Sequence, residues 1–271
     1  VGGFDTYERR VWQDKAAAFE ASSGLLCAHT VPDLLAAADA GPGVRLLDVG
    51  TGTGTAARAA VRLGAEVTAV DAEPSMAARA AELVPEAAVH QAVLPELPFP
   101  DASFDAVVAN FVLNHVGRPR AALAELLRVL RPGGRLALTV WTNPPAPGQA
   151  LIGRSLAAAG AVRPGWVPEG LDPDEDFSRT EAGLTGLFTE AGFTDAVART
   201  LAWDHVVDRE VWWSGPSNGI SFGGALLTAQ SASVAAEVRC RYEEFAAGFA
   251  TPEGLLALPH TAVLARGTRP V

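Results

Sequence analysis

What most limits the fold of this chain is the run Leu46-Leu47-Asp48-Val49-Gly50-Thr51-Gly52-Thr53-Gly54, followed at once by a helix-forming stretch from Thr55 to Leu63. An apolar strand that ends in an acid-headed glycine loop and turns directly into a helix is a nucleotide-binding loop. Glycines at alternate positions let the chain turn sharply and let a ligand lie against the backbone, while Asp48 sets a carboxylate beside the amides that open the helix. The ligand this implies carries hydroxyls or an amine near the loop, not phosphate alone. A pyrophosphate cofactor usually meets a glycine-x-glycine-x-x-glycine spacing with little negative charge nearby. Here the acid precedes Gly50 by two residues and the third glycine comes at Gly54, a spacing that disfavours NAD and FAD.

Further segments follow in order. Val67 to Val70 reads as a second strand ending at Asp71-Ala72, and Glu73-Pro74-Ser75-Met76 opens the next helix. Leu97 to Asp105 leads into a strand ending at Asn110, and Phe111 to Val116 forms the loop after it. Leu123, Leu126, Leu127 and Leu130 share one helical face, and Arg131-Pro132-Gly133-Gly134 ends that helix before a strand from Arg135 to Trp141.

Over residues 44 to 142 this order resembles the class I S-adenosylmethionine-dependent methyltransferases, particularly the small-molecule branch related to the ubiquinone and menaquinone C-methyltransferases. The resemblance implies S-adenosyl-L-methionine as cofactor, held by Asp48, Gly50, Thr51, Gly52 and Gly54. It makes Asp71 the acceptor for both ribose hydroxyls, with Ala72 beside it, sets Met76 against adenine, and puts Asn110 at the end of the fourth strand. The family commonly has an aspartate on adenine where this chain has Val93, so adenine is expected to meet Val93, other apolar contacts and backbone groups, with Gln91 or Leu94 nearby. Tyr7, in an N-terminal segment that resembles the family's lid, is expected near the methionine moiety.

A length of 271 residues with 49% hydrophobic composition suits one core with a substantial elaboration. Strands near residues 44–49, 66–70, 88–92, 104–110 and 134–142, with helices between them, give a doubly wound, mostly parallel α/β sheet, seven-stranded in the family form. The expected organisation is an N-terminal helical lid over 1–40, a cofactor-binding core over 41–145, a cap insertion over 146–176, and the remainder of the sheet over 177–271 with a helical insertion at 204–252. In the lid, Trp12, Ala16 and Phe19 suggest one helix from Tyr7 to Ser22. In the C-terminal insertion a break is expected at Ser214–Gly219, and His260 to Arg266 reads as the last, antiparallel strand.

A net charge of −10 without basic, aromatic-interleaved runs argues against nucleic acid. Cys27 and Cys240 lack ligand spacing and read as free thiols, with no structural metal. No apolar run approaches membrane-spanning length, so no membrane partner is expected and the location is expected to be cytoplasmic. No heptad repeat fixes an oligomer, which leaves a homodimer through the lid or cap open.

Methyl transfer from a sulfonium is an in-line displacement that needs a positioned nucleophile and a dry site, with one base for a protonated acceptor. His115, in the loop at the carboxyl edge of the fourth strand, is the candidate base. Trp12, His29, Trp141, Trp166 and Trp212 are the candidate acceptor contacts, because an aromatic-lined pocket suits a hydrophobic or aromatic metabolite; the tryptophans also fit plain core packing, and His29, the second candidate base, also fits a helix cap or a surface position. The near absence of lysine and the elaborated cap point to natural-product biosynthesis. Two other readings are a noncatalytic or non-methylating S-adenosylmethionine-binding protein, and a nicotinamide-dependent oxidoreductase. The latter needs the other glycine spacing and a tyrosine or histidine placed to donate a proton for hydride transfer; of tyrosines there are only Tyr7 and Tyr242, and neither has that context.

Overall fold

The computed structural model of the chain describes residues 3–271; Val1 and Gly2, the first two residues of the lid segment, lie outside them. Seven strands, β1 (Arg45–Val49), β2 (Glu66–Asp71), β3 (Ala88–Gln91), β4 (Phe104–Asn110), β5 (Leu130–Trp141), β6 (Thr194–Val207) and β7 (Leu256–Thr268), form one sheet in the order β3-β2-β1-β4-β5-β7-β6. The pairs among β3, β2, β1, β4 and β5 are parallel. β7 runs antiparallel to both β5 and β6. The doubly wound, mostly parallel seven-stranded sheet expected from the sequence is present.

Strict alternation along the strands makes the sheet two-faced. Leu47, Val107, Leu136, Leu138 and Val263 point to one core, shared with Leu123 and Leu126 of helix Pro119–Val129 and with Leu184, Leu187 and Phe188 of helix Glu181–Glu190. Leu46, Ala106, Val108, Ala137 and Leu264 point to the other, against Leu34 and Leu35 of helix Val31–Ala37 and Ala57 and Ala60 of helix Thr55–Arg62. A buried leucine is worth roughly 1.5–3 kcal/mol in this bookkeeping, so these two layers carry the fold. Strand order reverses between β1 and β4, and there the carboxyl ends of the strands open a crevice.

The lid departs from the single helix expected. Helix Gly3–Trp12 ends at Gln13-Asp14, where Asp14 turns to φ 57, and helices Ala16–Glu20 and Ser23–Cys27 follow. Long-range bonds impose that break: Asp14 N donates to Glu73 Oε1, and Lys15 Nζ to the carbonyl of Asn218. The C-terminal break is also displaced. Helix Arg209–Ser217 runs through Ser214 to Ser217 because Asp208 caps its start, accepting from the amides of Glu210 and Val211, and it stops only at Gly219, φ 78. Helices Ser221–Thr228 and Ala232–Ala246 complete that insertion. Among the described residues no helix is long and apolar enough to cross a membrane.

Candidate active site

Asp71, Asp48, Asn110 and Trp141 end, or nearly end, the neighbouring strands β2, β1, β4 and β5, so the sheet itself sets them in a row along the crevice. The glycine loop closes over that row. Gly50 and Gly52 take φ 63 and 56, and a Cβ on Gly50 would stand 2.4 Å from Val112 Cγ2. Only glycine combines that twist with that approach.

Asp48 is buried; its Oδ2 accepts from Thr51 Oγ1 at 2.6 Å, and its Oδ1 has no partner among residues 3–271. Burial lifts its pKa to about 7 in spite of the Thr51 bond and the nearby Ala57 amide at the start of helix Thr55–Arg62. Asp71 accepts from the amide of Gly52 at 2.8 Å and that of Glu73 at 2.9 Å, one bond to each oxygen. Burial lifts it to about 6 against those two donors. A carboxylate fixed by backbone amides, with lone pairs to spare, suits a vicinal diol; a buried carboxylate oxygen with no partner suits an ammonium group. These residues therefore fit the amino-acid and ribose parts of S-adenosylmethionine.

One cavity of about 2040 Å³ runs from this loop to the C-terminal insertion, larger than the roughly 300–1,000 Å³ that a single small ligand fills, and so roomy enough for cofactor and acceptor together. Of the cofactor residues expected from sequence, Tyr7, Asp48, Gly50, Thr51, Gly52, Asp71, Ala72, Met76, Val93, Leu94 and Asn110 all line it. Gly54 does not: at φ 87 its missing Cβ makes room for Val84 Cγ2 and Ala80, so it serves the packing of helix Thr55–Arg62 on helix Pro74–Leu83. Asn110 has most of its polar capacity engaged inside the fold. Its Oδ1 accepts from Thr30 and Thr139 and its Nδ2 donates to the Cys27 carbonyl, tying β4 and β5 to the lid.

His115 lines the cavity, and its Nδ1 lies 2.9 Å from Glu8 Oε2 of helix Gly3–Trp12. Trp12 Nε1 donates to the same Glu8 oxygen at 3.0 Å, and its ring stands edge-on to the imidazole, 5.3 Å between centroids. Burial pulls the His115 pKa down, but the charge and hydrogen bond of Glu8, with Asp71 farther off, outweigh it and leave the pKa above the usual histidine value. A carboxylate on Nδ1 fixes the proton there and leaves Nε2 to accept another. Glu8 was not singled out by the sequence. Its signal was the spacing Asp5, Glu8, Trp12 on one helical face, where Asp5 also accepts from the Gly117 amide at 2.8 Å and so docks the helix on the loop after β4.

Of the acceptor contacts expected from sequence, Trp12, Trp141 and Trp212 line the same cavity. Phe111, also missed, stacks on Trp141 at 3.8 Å and 15°. Its φ of 60 is costly for a bulky residue, about 1–2 kcal/mol, and its amide is held there by the Thr139 carbonyl and hydroxyl. His29 and Trp166 lie off the cavity. His29 bonds His205, its Nε2 3.1 Å from Nδ1, and stacks on Trp203 beside a separate small pocket. Trp166 packs outside Tyr7 with the Arg10 guanidinium 4.0 Å over its ring.

The model of a methyltransferase domain matches residues 47–138. A demethylmenaquinone methyltransferase of Beutenbergia cavernae is 38% identical over 176 residues, which are 62% of this chain and 72% of that protein. The chain belongs to the class I S-adenosylmethionine-dependent methyltransferases. Among solved structures it is similar to a phosphoethanolamine N-methyltransferase of Haemonchus contortus (TM-score 0.57, 16% identity, covering all of this chain and 61% of that one). It is similar too to the 4+2 cyclase SpnF (TM-score 0.55, 24% identity, covering 90% and 82%). At these identities the two structures speak to the fold alone.

Proposed function

We propose that this protein methylates a small hydrophobic or aromatic metabolite in natural-product biosynthesis, with S-adenosyl-L-methionine as methyl donor. When bound, the cofactor supplies an activated methyl carbon on a sulfonium. The chain's own residues do the rest. Asp48 and Asp71 hold the cofactor's polar groups against the glycine loop, Met76, Val93 and Leu94 give its base an apolar seat, and Tyr7 and Trp12 on the lid keep water away from the reacting end. His115, oriented by Glu8 through Nδ1, takes the acceptor's proton at Nε2, and Trp141, Phe111 and Trp212 wall the acceptor. The observation that carries this reading is the single cavity joining the Asp48–Asp71 loop to the His115–Glu8 pair and its aromatic wall. The demethylmenaquinone methyltransferase similarity favours a planar ring acceptor.

The test is transfer of isotope-labelled methyl from S-adenosylmethionine to a panel of phenols, quinols and aromatic amines. Calorimetric titration with S-adenosylmethionine and with NADH runs alongside. Binding of the first with labelled product supports the reading, and NADH binding alone would overturn it. Val93, 44% exposed where the family commonly has an acid, favours a second reading in which the cofactor is bound but no methyl is transferred. Cofactor binding with no product across the panel is its signature. The nicotinamide reading has less to rest on: the glycine spacing of the Asp48–Gly54 loop disfavours it, and of the two tyrosines Tyr7 lines the cavity while Tyr242 does not, its hydroxyl donating to the Arg209 carbonyl.

A further inference from the structure

Three histidines distant in sequence, His29, His205 and His260, meet beside Trp203 and Trp212 where the ends of β6 and β7 face helix Arg209–Ser217. Among the described residues they form no metal-holding group. They do leave polar atoms without partners among residues 3–271: Nε2 of His205 and of His260, and Nε1 of Trp203 and of Trp212. Buried polar groups are nearly always hydrogen-bonded, so four such atoms in one cluster call for a reason. His260 and Trp212 alone of these four residues line the large cavity.

The protonation of His260 follows from its neighbour. Its Nδ1 lies 2.8 Å from the Leu258 carbonyl, which can only accept, so Nδ1 carries the proton. Burial lowers the pKa of His260 to about 4, which keeps the ring neutral. Nε2 is then a bare acceptor, while Trp212 Nε1–H is a bare donor on a ring 5.4 Å away and nearly perpendicular. A hydroxyl seated between the two rings would give Nε2 its donor and Nε1–H its acceptor. A ligand anion would face a lone pair here, and His205, also held neutral at about 4, offers no positive charge to offset it.

We propose that this end of the cavity is an anchoring subsite for a neutral hydroxyl on an aromatic acceptor, the hydroxyl donating to His260 Nε2 and accepting from Trp212 Nε1–H. The subsite rests on the reading that the cavity takes a methyl acceptor, and it narrows that acceptor to hydroxylated, uncharged rings at the end farthest in sequence from the glycine loop.

Calorimetry of the full chain with 2-naphthol and with 2-methoxynaphthalene, each in the presence of S-adenosylhomocysteine, tests it. The methoxy compound keeps the oxygen acceptor and loses the donor. The parent protein is expected to prefer the naphthol about tenfold, the size of one hydrogen bond to a buried group, and His260→Phe to reduce the preference to within about threefold. Trp212→Phe, at a partly buried helical position, keeps a ring but loses the N–H, and it should weaken both compounds about three- to tenfold. No preference in the parent overturns the subsite, since the two atoms would then be served by water. So does a preference that survives in His260→Phe, or, should that variant fail to fold, affinities untouched in Trp212→Phe. Failure of the methyltransferase reading shows separately, as absence of S-adenosylhomocysteine binding in the parent.

Discussion

Glu8 and His115 are 107 positions apart in the chain, yet the Glu8 carboxylate stands 2.9 Å from His115 Nδ1. The pair joins helix Gly3–Trp12 to the loop after β4, and the carboxylate favours the His115 form with a proton on Nδ1. One contact thus couples the seating of the helix to the raised pKa of His115, supported by Asp5 on the Gly117 amide and by Trp12 Nε1, which donates to the same Glu8 oxygen.

Replacing Glu8 by Gln removes the charge that holds the His115 pKa up and leaves burial to pull it down. In the parent, methyl transfer to a protonated acceptor should rise with pH as His115 loses its proton, through a midpoint above the ordinary histidine value. In Glu8→Gln that limb should move to lower pH, with the plateau reduced on the order of tenfold to hundredfold. A pH–rate profile under saturating cofactor reads both. A limb that stays in place would remove His115 from the chemistry, and His115→Ala within about threefold of the parent would do the same.

Cofactor binding should release protons. Asp48 near 7 and Asp71 near 6 both sit above the usual carboxylate range, so part of the ligand-free protein is protonated at these sites near neutrality. A ligand ammonium and ribose hydroxyls favour the ionised forms, hence affinity must fall as pH drops below about 7. S-adenosylhomocysteine titrated at pH 8 and pH 5.5, in two buffers of different ionisation enthalpy, should bind roughly tenfold or more weakly at the lower pH with net proton release. Equal affinities and no buffer dependence would mean that neither carboxylate meets the ligand.

What the sequence made legible is what short-range pattern encodes. The alternation Leu46/Leu47 and the Asp48–Gly54 loop announce a parallel strand feeding a helix, and Asp71 and Asn110 end β2 and β4, the two strands that flank β1, as their positions implied. Gly54, expected beside the cofactor, lies off the cavity, and the sequence does not separate the two cases because a glycine that admits Val84 looks, in one dimension, like a glycine that admits a ligand. The lid helix was overextended because Trp12, Ala16 and Phe19 keep helical spacing across a break imposed by Glu73 and Asn218, which lie far along the chain. The pairing of Glu8 with His115 and of His260 with Trp212 was not legible for the same reason: each is made by a helix docking on the carboxyl edge or end of the sheet, far along the chain, and not by local pattern.

Gly50→Ala should be costly for two separable reasons. A φ of 63 strains any side chain by about 1–2 kcal/mol, and the new Cβ would lie 2.4 Å from Val112. Gly43→Ala has the same kind of strain, φ 76, with nothing within 4 Å, and so isolates the first term. Denaturant unfolding should show Gly50→Ala losing about 1–3 kcal/mol more than Gly43→Ala, with part of that excess restored by Val112→Ala. Equal losses would mean the loop yields without touching Val112.

The buried histidines make the fold acid-sensitive. His205 and His260 have folded pKa values of about 4, against about 6.5 when unfolded, so below pH 6.5 the unfolded chain binds the extra protons. Their contribution is complete above pH 6.5 and is lost as pH falls toward 4, on the order of 3 kcal/mol or more for the two together. Asp48 and Asp71 act in the opposite sense, because their raised pKa values let the folded state hold protons that the unfolded state gives up between about pH 4 and 7. The net slope therefore mixes both, and a difference experiment separates them. Chemical denaturation of the parent and of His205→Gln at pH 7.5 and pH 4.5 should show the variant losing less stability between the two values, whatever its absolute stability. Equal losses would show that His205 takes up its proton in the folded state as readily as in the unfolded one.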